Sequence, residues 1–338
     1  MDHSVLSAPL TAKDFASDEE VRWCPGCGDY AILKSMQKAL VKIGARPETT
    51  VFVSGIGCAS RFPYYMNTYG FHTIHGRAPA IATGAKLANP DLDIWVITGD
   101  GDGLSIGGNH LLHVLRRNID LQVLLFNNEI YGLTKGQSSP TSRLGTRSPS
   151  TPNGSIESPV SPLIFALGSG ANFVARAVDV SQVSLQVTLE RAHAYKGAAF
   201  VEIFQNCIVY NDGVFNDFTE RNLSSDRQIH VQHGQPLIYG KNKDIGLKLD
   251  HKTLCLESVK LGRGESKESD LIIHDERNRM LAVMLASMRP PDLPMALGVI
   301  LCDPVDSISK AAPSNRRDSW TDDLNKLMRA GHTWTVGT

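Results

Sequence analysis

The residues most clearly suited to binding or catalysis are two aspartates in a glycine-rich turn. Asp100 and Asp102 alternate with three glycines over residues 99–103. Such a turn lets backbone N–H groups approach a phosphate, but two carboxylates would repel a bare phosphate group. A Mg²⁺ ion between carboxylate and phosphate oxygens removes this conflict, because hard cations prefer oxygen ligands. The turn therefore predicts a metal-bridged diphosphate site.

The elements around this turn place a second set of oxygen ligands beside it. Apolar residues 94–98 predict a buried parallel strand and residues 104–117 a helix, while residues 121–126 predict the next buried strand. Adjacent parallel strands end side by side, so the Asp100 carboxylate, the Asn128 amide oxygen and a backbone carbonyl such as that of Ile130 can face one ion. This combination resembles the thiamine diphosphate motif and implies that coenzyme with Mg²⁺. The alternative is an ordinary glycine turn and an ordinary Asx turn after two strands.

The cysteines form a second group with metal-ligand spacing. Cys24 and Cys27 form a CxxC pair, which is compatible with a redox pair, a zinc hairpin or half of an iron–sulfur site. Cys58 and Cys207 follow the first and last predicted core strands, at one edge of the sheet if all its strands are parallel. Four such thiolates can hold a [4Fe–4S] cluster, whereas a zinc ribbon would more often show a second CxxC. Cys255 and Cys302 are expected to be buried free cysteines.

The order of predicted elements indicates one α/β domain. Strands and helices alternate over residues 28–210, which favours a doubly wound, mostly parallel sheet, followed by a partly irregular C-terminal extension. We divide the chain into an N-terminal arm (1–22), a cofactor-binding α/β domain (23–210) and the extension (211–338), which packs on the core or on a partner. Further predictions are a loop over 59–76, a helix over 77–88, a helix from an N-cap at Ser181 to about 196, strands over 172–177, 199–204 and 296–302, and a helix over 276–288. The Ser-, Thr- and Pro-rich residues 132–162 are expected to lie over the cofactor, with a linker as the alternative.

Composition excludes several classes of function. The 338-residue chain has a formal net charge of −1, so no general attraction to nucleic acid or to an anionic membrane is expected. No apolar run approaches the ~20 residues that span a bilayer, and the N-terminus lacks a signal pattern. Six cysteines are too few for a disulfide scaffold in a chain of this length. A cytoplasmic protein is the expectation.

The motifs taken together resemble those of a known family, the β subunits of 2-oxoacid:ferredoxin oxidoreductases. The resemblance covers about residues 20–215, with weaker similarity near 294–299. It implies the diphosphate-binding half of the thiamine diphosphate-binding fold, one [4Fe–4S] cluster and Mg²⁺. The motifs are Cys-Pro-Gly-Cys-Gly at 24–28, Gly-Ile-Gly-Cys at 55–58, His-Gly-Arg-Ala at 75–78, Thr-Gly-Ala-Lys at 83–86, Gly-Asp-Gly-Asp at 99–102, Asn-Asn-Glu-Ile-Tyr-Gly-Leu-Thr-Lys-Gly-Gln at 127–137, and Cys207.

The resemblance assigns roles to individual residues. It implies that the cluster ligands are Cys24, Cys27, Cys58 and Cys207. It also implies that Asp100, Asn128 and the Ile130 carbonyl bind Mg²⁺. The residues expected to line the coenzyme are Ile56, Gly57, Cys58, Ala59, His75, Gly101, Asp102, Gly132, Leu133 and Thr134. Asn206 stands where the resemblance leads us to expect proline in many relatives, which leaves the path of the loop before Cys207 open.

The resemblance also implies a substrate and partners. The form of residues 132–137 favours 2-oxoglutarate, converted reversibly with coenzyme A and oxidised ferredoxin into succinyl-CoA, CO₂ and reduced ferredoxin. We expect Arg61 to pair with the distal carboxylate of the substrate, Leu133 to contact the substrate, and His75 to act in catalysis by a hydrogen bond to substrate or coenzyme. A solvated Arg61 and a structural His75 are the respective alternatives. An α chain is expected to supply the pyrimidine-binding domain, in an αβ or (αβ)₂ assembly.

Other functions remain open at this point. Within the family, the chain could serve a pyruvate-specific or broad-specificity enzyme. A non-oxidative thiamine enzyme is a further alternative, but it would not need four cysteines arranged as cluster ligands. A zinc-stabilised binding module, in which the Gly-Asp-Gly-Asp turn is merely structural, is the alternative from another class.

Overall fold

The computed structural model describes residues 9–262, 266–307, 326–328 and 330–331. The strands are β1 (Thr50–Ser54), β2 (Tyr69–His72), β3 (Asp93–Gly99), β4 (Leu121–Asn127), β5 (Phe173–Val178), β6 (Ala198–Phe204), β7 (Gln228–His230), β8 (Ile238–Tyr239), β9 (Ile245–Asp250), β10 (Cys255–Lys260) and β11 (Met295–Cys302). The helices are α1 (Asp29–Lys42), α2 (Ala78–Ala88), α3 (Asp100–Leu104), α4 (Gly108–Arg116), α5 (Pro162–Gly168), α6 (Gln182–Ala194), α7 (Asn216–Thr219), α8 (Ser224–Arg227) and α9 (Arg279–Ser287). Short 3₁₀ helices occupy Ala59–Tyr65 and Glu268–Asp270.

An eight-stranded sheet forms the centre of the molecule, in the order β2-β1-β3-β4-β6-β5-β11-β7. Neighbouring strands from β2 to β5 pair in parallel, and β11 runs antiparallel to β5. A second, antiparallel sheet has the order β10-β9-β8. The predicted doubly wound, mostly parallel fold is confirmed.

Both faces of the main sheet are covered by helices, because its central strands are apolar on both sides. In β3, Val96 packs on the face covered by α2, α4, α5 and α9, whereas Trp95 and Ile97 pack on the face of α1 and α6. The apolar stripe of α1, including Leu33, Met36 and Leu40, lies in this second cluster. The continuous apolar runs that predicted buried strands therefore belong to the central layer.

Parallel pairing brings four chain turns to one edge of the sheet. β1, β3, β4 and β6 run in the same direction, so the residues that follow their carboxyl ends are neighbours. These are the turns that begin at Gly55, Asp100, Asn128 and Gln205. The sheet topology thus collects at one edge the segments in which the sequence predicted ligands.

Three local predictions need correction. Residues 59–76, predicted as a loop, contain the 3₁₀ helix and the edge strand β2, whose four residues are all exposed and so lack the buried apolar run of a central strand. The single helix predicted over 104–117 is interrupted over residues 105–107, where Gly107 packs so closely that a Cβ atom on it would lie 2.4 Å from the Asp102 carbonyl oxygen and 3.0 Å from Gly76 Cα. Ser181 precedes α6, but its side chain makes no capping hydrogen bond.

The N-terminal and C-terminal segments pack on the α/β core. Phe15 of the predicted arm is fully buried, and Ala16 bridges to Met66. From the predicted extension, β7 and β11 complete the main sheet, and α9 packs on one of its faces. Within the described part of the chain, no helix is long and apolar enough to cross a lipid bilayer.

Candidate active site

A cavity of about 350 Å³ opens at the carboxyl edge of the sheet. The predicted metal ligands Asp100, Asn128 and Ile130 line it, as do all ten residues that were expected to line the coenzyme. Ser105, Ile106, Phe126, Tyr131 and Gln137 also line it, although no role was predicted for them. The structure therefore brings the two halves of the predicted diphosphate site into one space.

Asp100 is the buried carboxylate of this cavity. It begins α3 directly after β3, and its Oδ2 atom accepts hydrogen bonds from Ser139 Oγ (2.6 Å) and Thr141 Oγ1 (2.5 Å). Burial raises the pKa of the Asp100 carboxyl, and these two hydroxyls act in the opposite direction. Because the hydroxyls hold one oxygen, the carboxylate is already oriented before a cation arrives.

The loop over residues 132–162 supplies both of those hydroxyls. Thr141 Oγ1 also lies 3.1 Å from Asn127 Oδ1, which links the ends of β3 and β4. Asn127 in turn donates to Glu202, whose other oxygen pairs with the buried Arg176 at 2.8 Å. These contacts bring the loop against Asp100, while its place over the cofactor stays a prediction, and sequence reasoning assigned no role to its hydroxyls.

Asn128 follows β4 and is held on two sides. Its Nδ2 atom donates to Gln205 Oε1 (3.0 Å), its carbonyl accepts from Asn211 Nδ2 (2.8 Å), and its Oδ1 accepts from the backbone N–H of Ile130 at 3.2 Å. A carbonyl oxygen has two lone pairs, so Oδ1 keeps one for a cation. The donor set of one carboxylate, one amide oxygen and a backbone carbonyl fits Mg²⁺, which completes its coordination with phosphate oxygens and water.

Asp102 supports the walls of the cavity. Its Oδ1 atom accepts from the backbone N–H groups of Ile56 (3.1 Å) and Gly76 (2.7 Å), and its Oδ2 accepts from Thr98 Oγ1 (2.7 Å). Ile56 belongs to the turn after β1, and Gly76 follows the expected catalytic residue His75. The carboxylate thus ties two cavity loops to β3, and contact of Asp102 with the coenzyme stays a prediction.

Gly101 allows Tyr131 to pack against the glycine-rich turn. A Cβ atom at Gly101 would lie 2.2 Å from the Tyr131 ring, and the Tyr131 hydroxyl donates to the Gly101 carbonyl at 3.3 Å. Any larger side chain at position 101 would displace this ring. The requirement for glycine here arises from close packing across the cavity.

The four predicted cluster ligands converge beside the same cavity. Cys58 lines it, and a Cβ atom on Gly132 would lie 3.5 Å from the sulfurs of both Cys58 and Cys207. Cys27 N–H donates to the Cys24 carbonyl (3.0 Å) in a tight turn with Gly26 at a φ of 86°. The Cys58 and Cys207 sulfurs thus meet at Gly132, and the Cys24 and Cys27 thiols lie close enough to interact electrostatically with them, so a cluster ligated by all four is a prediction that their proximity permits.

The thiols are electrostatically suited to a cationic partner. Burial raises the pKa of Cys58 to about 12, and the nearby Asp29 carboxylate adds to this rise. Burial and Asp29 raise the pKa of Cys27 as well. Such thiols are protonated when no metal is present, and iron would supply the positive charge that stabilises their thiolates.

The structure describes no group of three or more His, Cys, Asp or Glu side chains that is arranged to hold a single metal ion. The predicted cluster differs from such a site because each of its irons takes one thiolate, which spaces the sulfurs more widely. The predicted magnesium site has one carboxylate, and its other donors are amide and backbone oxygens. Both metal assignments stay predictions.

The loop before Cys207 is fixed by Asn206. Its backbone N–H donates to Asp179 Oδ2 (2.9 Å), its carbonyl accepts from Gly28 N–H (3.2 Å), and its side chain bonds Asp212 and Gly213. The bond to Gly28 ties the Cys207 loop to the CxxC loop. The path that the sequence left open is therefore set by four hydrogen bonds, three of which proline cannot make because it has neither the backbone N–H nor the side-chain amide.

The remaining predicted residues lie near the rim or elsewhere. His75 is exposed at the cavity, and the Thr134 hydroxyl donates to Gln137. Arg61 lies in an adjoining groove that shares Ile56, Gly57 and Leu133 with the cavity, and its Nη1 donates to the Arg22 carbonyl at 3.0 Å. Cys255 is exposed and Cys302 is partly exposed, so the prediction that both are buried is wrong.

Comparison with known proteins agrees with this site. Residues 55–203 match the family model "Thiamine pyrophosphate enzyme, C-terminal TPP binding domain". The chain is 46% identical to the 2-oxoglutarate oxidoreductase subunit KorB of Mycobacterium tuberculosis, over 97% of this chain and 89% of that protein. It is 50% identical to the β subunit of 2-oxoacid:ferredoxin oxidoreductase 1 of Aeropyrum pernix, over 56% of this chain and 60% of that protein.

A solved structure is similar along nearly the whole chain. It is the 2-oxoglutarate:ferredoxin oxidoreductase from Magnetococcus marinus with 2-oxoglutarate, coenzyme A and succinyl-CoA bound. The TM-score is 0.73 at 30% sequence identity, and the match covers 98% of this chain and 94% of that chain. With a thiamine pyrophosphate domain at its centre, the chain belongs to the family of 2-oxoglutarate and 2-oxoacid:ferredoxin oxidoreductase β subunits.

Proposed function

We propose that this chain is the β subunit of an oxidoreductase that converts 2-oxoglutarate, coenzyme A and oxidised ferredoxin into succinyl-CoA, CO₂ and reduced ferredoxin. The observation that supports this most directly is the adjacency of two donor sets. The oxygen donors around Asp100 and the thiols around Gly132 open on one cavity, with Cys58 in its wall. A decarboxylating coenzyme and an electron acceptor could therefore lie side by side.

In this proposal Asp100, Asn128 and the Ile130 carbonyl hold Mg²⁺ and, through it, the diphosphate of the coenzyme. Ser139 and Thr141 fix the Asp100 carboxylate. When bound, thiamine diphosphate supplies the electron sink for decarboxylation, and the cluster accepts electrons singly. The side chains of this chain bind and orient these groups, and the α subunit contributes the rest of the coenzyme site.

We assign the cluster to Cys24, Cys27, Cys58 and Cys207. The test is metal analysis of the αβ complex purified without oxygen. About four iron and four sulfide per β chain are expected for one [4Fe–4S] cluster. Zinc without iron would contradict the assignment and favour a zinc-stabilised module.

The metal site has its own test. Asp100→Ala should abolish retention of thiamine diphosphate by the purified complex, because it removes the only charged ligand of the proposed magnesium site. The visible absorbance of the cluster should persist, since none of its ligands is changed. Coenzyme retained at wild-type stoichiometry would show that the Mg²⁺ assignment is wrong.

Substrate identity is tested by the rate of ferredoxin reduction. With coenzyme A present, 2-oxoglutarate should give a much higher kcat/KM than pyruvate. The groove beside the cavity places Arg61 next to residues shared with the coenzyme site, which supports a role in binding a second carboxylate. Equal kcat/KM values for the two substrates would favour the broad-specificity alternative.

A further inference from the structure

The side chain of Gln205 connects the two proposed cofactor sites. Its Oε1 atom accepts a hydrogen bond from Asn128 Nδ2 at 3.0 Å, and its Nε2 atom donates to Cys27 Sγ at 3.1 Å. Asn128 is a proposed magnesium ligand and Cys27 a proposed cluster ligand. One amide therefore contacts a ligand of each site.

The position of this amide is closely constrained. Gln205 is 1% exposed, its backbone N–H donates to the Asn127 carbonyl (2.9 Å), and Nε2 also donates to the Asn206 carbonyl (2.6 Å). With both Nε2 protons directed at acceptors, Oε1 is the only atom that can receive the Asn128 N–H. The contacts on both sides thus define the orientation of the amide.

We propose that Gln205 is a positioning residue that serves both sites at once, an inference that rests on the proposed function. Toward the metal site, Gln205 takes up the donor side of the Asn128 amide and so directs Asn128 Oδ1 at the cation. Toward the cluster, it donates an N–H to a ligand sulfur. Neither role was predictable from the cysteine or glycine-rich motifs.

Each contact has a distinct physical consequence. Outer-sphere partners orient metal ligands, and their loss typically costs about 10-fold to 100-fold in metal affinity. A hydrogen bond to a cluster sulfur stabilises the reduced, more negative state and so raises the reduction potential. A residue that merely filled space would change neither the magnesium affinity nor the potential.

The test uses three variants of the assembled αβ complex. Gln205→Met keeps the length of the side chain and removes both hydrogen bonds. Gln205→Glu keeps an oxygen toward Asn128 but places no N–H at Cys27 Sγ. The control is Gln122→Met, a buried glutamine (3% exposed) near the start of β4, at the opposite edge of the sheet.

Two quantities are measured for each complex at pH 8. The first is Mg²⁺ affinity in the presence of excess thiamine diphosphate, by calorimetric titration. The second is the midpoint potential of the cluster, by a redox titration followed by electron paramagnetic resonance of the reduced form. Gln205→Met should weaken Mg²⁺ binding about 10-fold. It should also shift the reduction equilibrium at least ~3-fold toward the oxidised cluster, which is about 28 mV.

Gln205→Glu should lower the potential while leaving Mg²⁺ affinity within about 2-fold of wild type. Gln122→Met should change neither quantity. If Gln205→Met does not assemble, Gln205→Asn replaces it, and at least one of the two shifts is expected because the shorter amide cannot reach both partners.

The outcomes separate this inference from the proposed function. A wild-type complex without the signal of a reduced cluster would overturn the proposed function itself. A wild-type complex with that signal, but with variants at position 205 that match it in both quantities, would overturn only the role of Gln205. Shifts in Gln122→Met as large as those in Gln205→Met would also overturn that role.

Discussion

Asp102 is the residue whose removal should most disturb the walls of the cavity. It is 6% exposed and accepts hydrogen bonds from the backbone N–H groups of Ile56 and Gly76 and from the hydroxyl of Thr98. In Asp102→Ala, both N–H groups lose their acceptor, at a cost of about 1–3 kcal/mol each. The Thr98 hydroxyl can turn to the Gly99 carbonyl, which lies 3.3 Å away. We therefore expect Asp102→Ala to lower the free energy of unfolding by roughly 2–6 kcal/mol.

That loss is large against a typical total stability of about 5–15 kcal/mol. Asp102→Asn is the matched variant, because its amide oxygen still accepts from Ile56 and Gly76 while Thr98 accepts from its NH₂ group. It loses only the charge-assisted part of these bonds, so roughly 1–2 kcal/mol is expected. Asp18→Ala, at an exposed position, serves as the control for removing a surface carboxylate.

The assay is urea denaturation of the assembled complex, together with the dissociation constant for thiamine diphosphate. Both loops tied by Asp102 line the cavity, so coenzyme affinity should fall in the same order as stability. The reasoning is refuted if Asp102→Ala stays within about 1 kcal/mol of wild type, or if the asparagine variant loses as much as the alanine variant.

Three further predictions concern the same cavity. Thr141→Val removes a hydroxyl that holds the Asp100 carboxylate, so Mg²⁺ affinity should fall about 10-fold by calorimetric titration, and unchanged affinity would contradict the role of the loop. Gly101→Ala places a methyl group 2.2 Å from the Tyr131 ring, so coenzyme retention should be lost and then restored in part by adding Tyr131→Ala. Arg61→Ala should raise the KM for 2-oxoglutarate far more than the KM for pyruvate, and equal effects on both would contradict pairing with the distal carboxylate.

The strands and the ligands at their ends could be predicted because both depend on local patterns. An apolar run such as 121–126 forms a stable strand only when both of its faces are buried. Parallel pairing then brings Asp100 and Asn128 to one edge of the sheet. The cysteines follow the same logic, since Cys58 and Cys207 are placed by strands β1 and β6. The apolar sequence pattern and the parallel topology together therefore determine where these ligands lie.

The supporting hydrogen bonds could not be predicted, because they join segments whose meeting depends on loop paths. Ser139 and Thr141 belong to a long polar loop in which many residues carry hydroxyls, and nothing local distinguishes the two that reach Asp100. Gln205 contacts Cys27, 178 positions away in the chain, and this contact has no periodic signal. The break before α4 likewise coincides with the close approach of Gly76 and Gly107, which only the folded chain brings about.

The pairing of Asn206 with Asp179 bears on how this protein could be recombined with its relatives. Asp179 is 5% exposed, and its carboxylate accepts a hydrogen bond from the backbone N–H of Asn206. A grafted loop with proline at 206 would leave that carboxylate without this hydrogen-bond donor. The resulting loss of stability would arise next to the CxxC turn, where Gly28 lies against Asp179. Chimeras that exchange the segment around Asp179 together with the loop around Asn206 should assemble. Chimeras that exchange only one of these segments should yield little complex.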